Sequence, residues 1–506
     1  MTDSTIPGVA PADSATSAYR DKVPHVVKFN YSIGSAAETI ISVAFNSFNF
    51  FFYTNLLGLS GTLAGLAITV SLFFDAITDP LIGAWSDRFR SKLGRRHPFM
   101  FTAPLPVMGA LLLIYSPPDA LDDLGLFMWL TVLTVSMRAC MTLYHVPHLA
   151  LGAELSANFT ERTRIMSINT LWSAMGGIAT IFVGLLGVLC SDSGKFENGL
   201  LNQAAYPSFA VTAALVGGGV MMYSTIMTMS VIPKLSVNAE GQENFGFKNF
   251  MSDCKDAFWN RNYQVLLIGY LLLSATLGIR DTIGLHVNTY FWELVPEQIR
   301  FIPLALAVVP ILGYIVTAPL HDRFDKKPVI IAGLVMLLIF ATAPVVLRIL
   351  GWFPENNTPL LLPTLIGFTI VTAMFGVILL ISVMSALADI ADEQELLTGR
   401  RQEGMFYAAR SFFAKASSGL GHLLAGIALD VIAFPVGAEP GTVNPTTVLH
   451  LGLIDGPISV IPGAIAIIFY LKYGLTHDRH TEIQAELEER RANAQSPETS
   501  PPSPPT

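Results

Sequence analysis

The sequence predicts an all-α integral membrane protein whose twelve transmembrane helices form two pseudo-symmetric six-helix halves. Of 506 residues, 52% are hydrophobic and only 13% charged, and the mean hydropathy is +0.52. Soluble domains carry about 25% charged residues. Apolar segments of about 17–25 residues, long enough to cross a bilayer as helices, recur along the whole length. Short motifs also recur at one spacing. Gly83-Ala-Trp-Ser-Asp87-Arg88-Phe89 after the second span is matched by Asp322-Arg323-Phe324 after the eighth, an offset of 235 residues. Ala150-Leu151-Gly-Ala-Glu154 after the fourth is matched by Ala386-Leu387-Ala-Asp389 after the tenth, an offset of 236. Two matches at nearly one offset indicate a duplicated six-helix unit.

Residues 1–29 form a polar tail with no apolar core of its own, so the first span rather than a cleaved leader is expected to direct insertion. The N-terminal half, 30–232, contains spans at 30–57, 61–86, 98–116, 123–151, 165–190 and 206–232. Gly58 to Gly61 breaks the first long apolar run into two helices, and Pro117–Pro118, Pro207 and Pro233 punctuate later ones. A loop at 233–262 joins the halves; Lys248, Lys255 and Arg261 beside Phe245, Phe247 and Phe250 would let it lie along the membrane surface. The C-terminal half, 263–473, contains spans at 263–290, 300–320, 327–350, 359–388, 405–435 and 447–473, with Pro354 between the ninth and tenth. In the tail, 474–506, residues 477–491 pattern as a short surface helix and Ser496 to Thr506 is rich in Pro and Ser.

Lys and Arg orient the bundle. The connections at 87–97, 152–164, 233–262, 321–327 and 389–404 hold sixteen of them, whereas the opposite connections hold Lys195 and Arg300. The positive-inside rule therefore places the first group and both termini in the cytoplasm, in a plasma membrane or a bacterial inner membrane. Three scattered cysteines, Cys140, Cys190 and Cys254, argue against a disulfide framework or thiolate metal site. The net charge of −8 gives no reason to expect nucleic acid.

Chemistry concentrates where charge is rarest. From Thr39 to Phe74 there is no charged residue, and then Asp75 and Asp79 follow one helical turn apart. Each intramembrane carboxylate costs roughly 2.5–3.5 kcal/mol on insertion-based scales. Spacing of i, i+4 points both at one place, and clustered carboxylate oxygens suit a hard cation or a proton. The expected role is a coupling-ion site for Na⁺ or H⁺, with Asp75 and Asp79 as metal ligands if the ion is Na⁺; the alternative is that one or both aspartates only pair with a structural Lys or Arg. No other cofactor is implied.

Gly83-x-x-x-Asp87-Arg88 followed by Gly94-Arg95-Arg96 resembles the cytoplasmic signature of major-facilitator proteins. The fuller string Asp75-x-x-x-Asp79-Pro80-x-x-Gly83, ending in Gly94-Arg95-Arg96-His97-Pro98, resembles the glycoside-pentoside-hexuronide:cation symporters. Ala150 to Leu155 with Glu161-Arg162-Thr163-Arg164, and Ala388-Asp389-Ile390-Ala391-Asp392 with Glu403-Gly404, Tyr407 and Lys415, extend the likeness to both halves. The resemblance implies a major-facilitator fold working by alternating access. It implies a cation site of Asp75, Asp79 and Thr142, with Lys415 near both cation and substrate. On the sugar side the pattern breaks: the family's aspartates fall near Thr39, beside Glu38, and at His145, its helix-four tryptophan at Leu149 and its helix-five arginine at about Thr170. Related carriers with the cation residues but not the sugar residues include sodium-coupled lysophospholipid symporters.

Candidate substrate residues are therefore Lys415, Glu38, Arg138, His145 and Arg280. Arg138, Thr142, His145 and Leu149 share one helical face, where Arg138 either lines the cavity or neutralises Asp75 or Asp79. Arg280 and the adjacent Asp281 point in different directions, one toward a cavity or one into a salt bridge. Asp87, Arg88 and Arg95, with Asp322 and Arg323 in the other half, are candidates for cytoplasmic salt bridges that stabilise an outward-facing state, the alternative being that these charges only set topology. Trp292 reads as an interfacial anchor. These residues lead to the expectation of a monomeric, cation-coupled symporter for a sugar, glycoside or uronide-type small molecule, in contact with membrane lipid; a lysophospholipid or other amphiphile is the alternative. A receptor does not explain the aspartate pair. A membrane enzyme would need a catalytic constellation, and none is found: no Ser-His-Asp grouping, no His-Glu-x-x-His, no nucleotide-binding loop.

Overall fold

The computed structural model describes residues 19, 22–156, 158–185, 189, 198–235, 260–306, 308–398 and 403–495. Among them there is no strand beyond one isolated bridge between Tyr19 and Ser156. The helices are α1 (His25–Phe51), α2 (Gly61–Arg88), α3 (His97–Ile114), α4 (Asp123–Glu154), α5 (Phe159–Val183), α6 (Ala205–Thr228) and α7 (Arg261–His286). Then come α8 (Phe301–Leu306 and Val309–Arg323), α9 (Lys326–Ile349), α10 (Leu361–Thr398), α11 (Glu403–Val431), α12 (Pro445–Tyr470) and α13 (His477–Gln495). Ten helices among the described residues are long and apolar enough to cross a membrane. Among the described residues, α8, described on either side of residue 307, and α1, whose first half carries Lys28, Asn30, Ser32, Ser35 and Glu38, complete twelve.

Polar residues cap the starts: Ser60, Asp122, Asn158, Asn260 and Asn444 accept from the N–H groups of Leu63, Gly125, Glu161, Tyr263 and Thr446. Such a cap is worth about 1 kcal/mol.

The duplication is written in the backbone. Helix α1 ends in a π turn, Phe52–Leu56, and α7 ends in another, Val287–Phe291, 235 residues later. Their exit hydrogen bonds correspond one to one: Leu57 N–H to Phe52 O at 3.2 Å and Trp292 N–H to Val287 O at 3.0 Å, then Leu59 to Tyr53 and Leu294 to Asn288, each at 2.9 Å. Both exits also need a positive φ, 76° at Gly58 and 51° at Glu293. Glycine adopts this conformation without strain and glutamate does not, so the shared geometry is imposed by the fold rather than by residue preference. Packing repeats as well: α1 lies on α5 and α6 as α7 lies on α11 and α12, and α4 lies on α2 and α3 as α10 lies on α8 and α9.

The halves meet along α2 and α11, and near α5 and α8. Contacts gather at the end carrying Gly58 to Gly61. There the Asn55 carbonyl accepts from Gly437 N–H at 2.7 Å, Tyr290 O–H donates to Asn55 Oδ1 at 3.1 Å, and Arg300 lies over the rings of Phe182 and Phe301 at 5.3 and 5.0 Å. At the opposite end, Asp87 pairs with Arg96 at 2.5 Å, and Arg95 and Arg96 converge on Glu154 Oε1 at 2.8 and 2.9 Å, all inside the N-terminal half. Lys326 holds Asp389 at 2.5 Å inside the other half.

Several expectations are corrected. Helix α4 continues to Glu154 and α10 to Thr398, so much of the loops expected at 152–164 and 389–404 is helical. The tail helix α13 docks onto α10: Ile483 and Leu487 are buried, His480 sits 3.0 Å from Asp392, and Arg490 donates to the Leu396 carbonyl at 2.7 Å. Trp292 is no interfacial anchor but is 4% exposed, packed on Phe291 and Phe353. The amphipathic stretch expected between the halves lies, from 236 to 259, outside the described residues.

Candidate cation and substrate site

The close crossing of α2 and α11 builds the site. A Cβ on Gly61 would fall 2.5 Å from the Gly426 carbonyl, and one on Gly65 would fall 2.7 Å from that of His422, so only glycine lets the two backbones approach. Further along, Thr69 O–H donates to the Gly419 carbonyl at 2.6 Å. The antiparallel register then delivers Lys415 to the two aspartates. Its Nζ lies 2.8 Å from Asp75 Oδ2 and 2.5 Å from Asp79 Oδ2. Pro80, directly after Asp79, has no N–H and leaves the Ala76 carbonyl without its helical partner.

The other carboxylate oxygens face α4. Thr142 Oγ1, 2% exposed as a residue, lies 2.9 Å from Asp75 Oδ1, 3.1 Å from Asp79 Oδ1 and 3.1 Å from the Arg138 carbonyl. A hydroxyl carries one proton, so these three acceptors cannot all be satisfied by it. Excess hard oxygen around one point is what a cation requires. Among the described residues no group of three or more His, Cys, Asp or Glu could hold a metal; the oxygens gathered here are those of two carboxylates and a hydroxyl.

Around this core a cavity of about 240 Å³ brings together Glu38, Asn46, Arg138, His145 and Lys415 with the aspartates. Arg138 donates to Ser71 Oγ at 3.0 Å and to Asn46 Oδ1 at 3.1 Å, and stands 3.9 Å from Asp75. It both lines the cavity and balances an aspartate, the two roles left open by the sequence. His145 Nδ1 lies 2.5 Å from Glu38 Oε1 across α4 and α1. His148 instead turns inward, bonded to the Tyr31 carbonyl at 2.9 Å and stacked between Tyr31 and Tyr144.

Arg280 lies apart from this cavity. Its Nη1 donates to the Asp455 carbonyl at 2.5 Å and its Nη2 is 3.5 Å from Asp455 Oδ2 on α12. Of the five loop charges expected to act together, Asp87 and Arg95 pair within their own half, and Arg88 has a partner of its own. Arg323 lines a separate cavity beside Lys326 and Asp389, and the side chain of Asp322 lies outside those described. Sequence reasoning missed Arg96, Asn46, Ser71, Asp430 and Asp455. Asp430 and Asp455 had a usable signal, as acids inside apolar spans; Asn46 and Ser71 had none, since neutral polar residues are common in such helices.

The model of the family described as MFS/sugar transport protein matches residues 30–476. The chain is 25% identical over 473 residues to the uncharacterized symporter YnaJ of Bacillus subtilis, covering 93% of this chain and 96% of that one. It is 24% identical over 476 residues to the putative glycoside/cation symporter YagG of Escherichia coli, covering 92% and 95%. It is 22% identical over 518 residues to the sodium-dependent lysophosphatidylcholine symporter 1 of Gallus gallus, covering 94% and 92%. The crystal structure of the nucleoside transporter NupG superposes with a TM-score of 0.58 at 17% identity, over 88% of this chain and 100% of that one, which shows a shared fold. With twelve helices in duplicated halves and a family match over nearly its whole helical body, the chain is a multi-pass membrane transporter that belongs to the MFS/sugar transport family.

Proposed function

We propose that this protein is a cation-coupled secondary active symporter for a sugar, glycoside or uronide-type solute. One observation carries the reading: Asp75 and Asp79 share the Thr142 hydroxyl on one side and the Lys415 ammonium on the other. Two carboxylates held so close need positive charge between them, and Lys415 is a cation tethered to the opposite half. Na⁺ or H⁺ entering among Asp75 Oδ1, Asp79 Oδ1 and Thr142 Oγ1 would compete with it. Glu38, His145, Arg138 and Lys415 would bind the polar solute in the adjoining cavity. Nothing in this chemistry calls for catalysis or for a second chain.

With the Lys- and Arg-rich loops and both termini on the cytoplasmic side of a plasma membrane, the end carrying Gly58 to Gly61, where contacts between the halves gather, faces outward. The loop charges Asp87, Arg88, Arg95, Asp322 and Arg323 then lie on the cytoplasmic side, where regrouping across the halves would accompany the outward-facing state.

The test is uptake by proteoliposomes of xylosides, glucosides and glucuronides under an imposed Na⁺ or pH gradient. Accumulation that collapses with the matching ionophore is expected; uptake indifferent to both gradients would overturn the reading. Similarity to the Gallus gallus symporter favours a second reading, a lysophospholipid substrate, which the same vesicles test with lysophosphatidylcholine.

A further inference from the structure

A cavity of about 590 Å³, more than twice the volume of the one at the aspartates, lies inside the C-terminal half between α7, α9 and α10. Leu273, Leu277, Leu337, Phe340 and Phe368 make its walls apolar. Its charges are Arg280, Asp281 and Asp455. Arg280 is held by Asp455, whereas Asp281 has no hydrogen bond or ion pair among the described residues. Asp281 is exposed at the chamber, so its carboxylate is available to accept from a bound ligand.

A second cavity, of about 210 Å³, shares Arg280, Asp281, Gly284, Asn288 and Ile302 with the first and reaches Ser47 and Phe48 on α1. Their immediate neighbours on that helix, Phe45 and Asn46, line the polar cavity at the aspartates. The connecting space and the apolar chamber thus share a wall, and the polar chamber lies beside the connecting space along α1. At the junction Gly284 leaves open space: a Cβ built there meets nothing within 4 Å. Ligand sites of about 300–1,000 Å³ are mostly apolar with a few placed polar groups, and the apolar chamber has that make-up.

We propose that this chamber is a second subsite, holding the apolar portion of an amphiphilic substrate. The favoured substrates are then glycosides of an apolar aglycone rather than free monosaccharides, with Asp281 accepting from a hydroxyl near the junction. The inference rests on the glycoside reading above and adds where the non-sugar part goes.

Purified full-length protein is titrated with n-alkyl glucosides, xylosides and glucuronides from methyl to hexyl, and the saturable, cation-dependent binding is followed. Burying each methylene gives about fourfold in affinity, so wild type should gain about that factor per carbon with at least one headgroup. Gly284→Leu fills the junction, and Gly376→Leu, whose Cβ would lie 3.5 Å from Leu337 Cδ1, fills the chamber wall. Either variant should flatten the dependence on chain length. Saturable binding that does not vary with chain length in wild type overturns the subsite and leaves the glycoside reading standing. A dependence on chain length that survives both variants also overturns the subsite. If no headgroup binds, the glycoside reading fails and the subsite built on it fails too.

Discussion

Asp430 on α11 is the clearest single point at which one half of the protein closes on the other. Its two carboxylate oxygens accept from the Gly61 and Thr62 N–H groups at 2.7 and 2.8 Å, capping the first turn of α2 across the seam. If that end opens by separating the halves these bonds would break, so weakening them would penalise the closed state alone. Asp430→Asn keeps the shape, leaves one acceptor oxygen in place of two, and removes the charge facing the helix N-terminus. Cap substitutions cost about 0.5–2 kcal/mol and an acid at a helix N-terminus contributes about 0.3–1 kcal/mol. A combined loss of about 1.4 kcal/mol would move the equilibrium roughly tenfold toward the state open at this end. Spin labels at the exposed loop residues Asp119 and Glu355, one in each half, would report it by pulsed electron–electron resonance. A new, longer distance population is expected in Asp430→Asn. A distance distribution identical to wild type, in a variant that folds and elutes normally, would refute the gating role and leave Asp430 a helix cap with no part in closure.

Three further outcomes are expected. Asp75→Asn and Asp79→Asn should each abolish cation-driven accumulation in vesicles while leaving some downhill flux, and Thr142→Ala, which removes one neutral oxygen, should weaken the apparent cation affinity more mildly; full concentrative transport by both Asn variants would return the pair to a structural role. Cysteine at Ser91 should be unreactive and cysteine at Glu355 reactive toward an impermeant thiol reagent in intact cells, and the reverse pattern would invert the orientation. Glu154→Gln strips the charged acceptor shared by Arg95 and Arg96; with charged donors left short at about 1–3 kcal/mol, thermal unfolding should begin several degrees lower, and an unchanged transition would mean that Asp87 and Ser86 satisfy Arg96 without it.

Much of the architecture was legible because a bilayer enforces it. Apolar run length gives the helices, Lys and Arg give the sidedness, and two short matches at offsets of 235 and 236 gave a duplication that the π turns repeat at 235. The turns themselves were invisible. Gly58 and Glu293 share a backbone conformation but no side-chain chemistry, and only the geometry equates them. Helix ends were misread where polarity stood for loop: α10 carries Asp389, Asp392, Glu393 and Glu395 beyond the apolar span because a helix leaving the membrane keeps its own hydrogen bonds. At the site, Asp75, Asp79 and Thr142 announced themselves through cost or resemblance. The placement of Lys415 on both aspartates depends instead on the register of α2 against α11, which glycines at 61, 65 and 426 set and no local pattern reveals. Arg280 was legible as an intramembrane charge, but its partner Asp455 lies 175 residues away, in a π turn.

Lys415 also explains how one site can inform the other. The ammonium belongs to the C-terminal half and the aspartates to the N-terminal half, so the pair fastens the halves at the middle of the bundle as well as neutralising buried charge. On the proposed reading, a cation that took over the carboxylates would release Lys415 toward the cavity it already lines with Glu38 and Arg138, adding a donor where a hydroxylated or anionic solute would sit. Linkage then demands symmetry: whatever factor the cation contributes to solute affinity, the solute returns to cation affinity. Lys415→Ala separates the two effects. Without the ammonium the aspartates keep the Thr142 hydroxyl and one nearby positive charge, Arg138, 3.9 Å from Asp75, and breaking such a pair costs about 3–5 kcal/mol. A bound cation relieves that cost, so the variant should unfold earlier in choline buffer yet show a larger stabilisation by Na⁺ than wild type if Na⁺ is the coupling ion, or by mild acid if it is H⁺. Calorimetric titration of solute with and without the ion should show the mutual enhancement falling to none. If Lys415→Ala retained that enhancement in full, coupling would have to run through Arg138 and Thr142 on α4, and Lys415 would be a counter-charge alone.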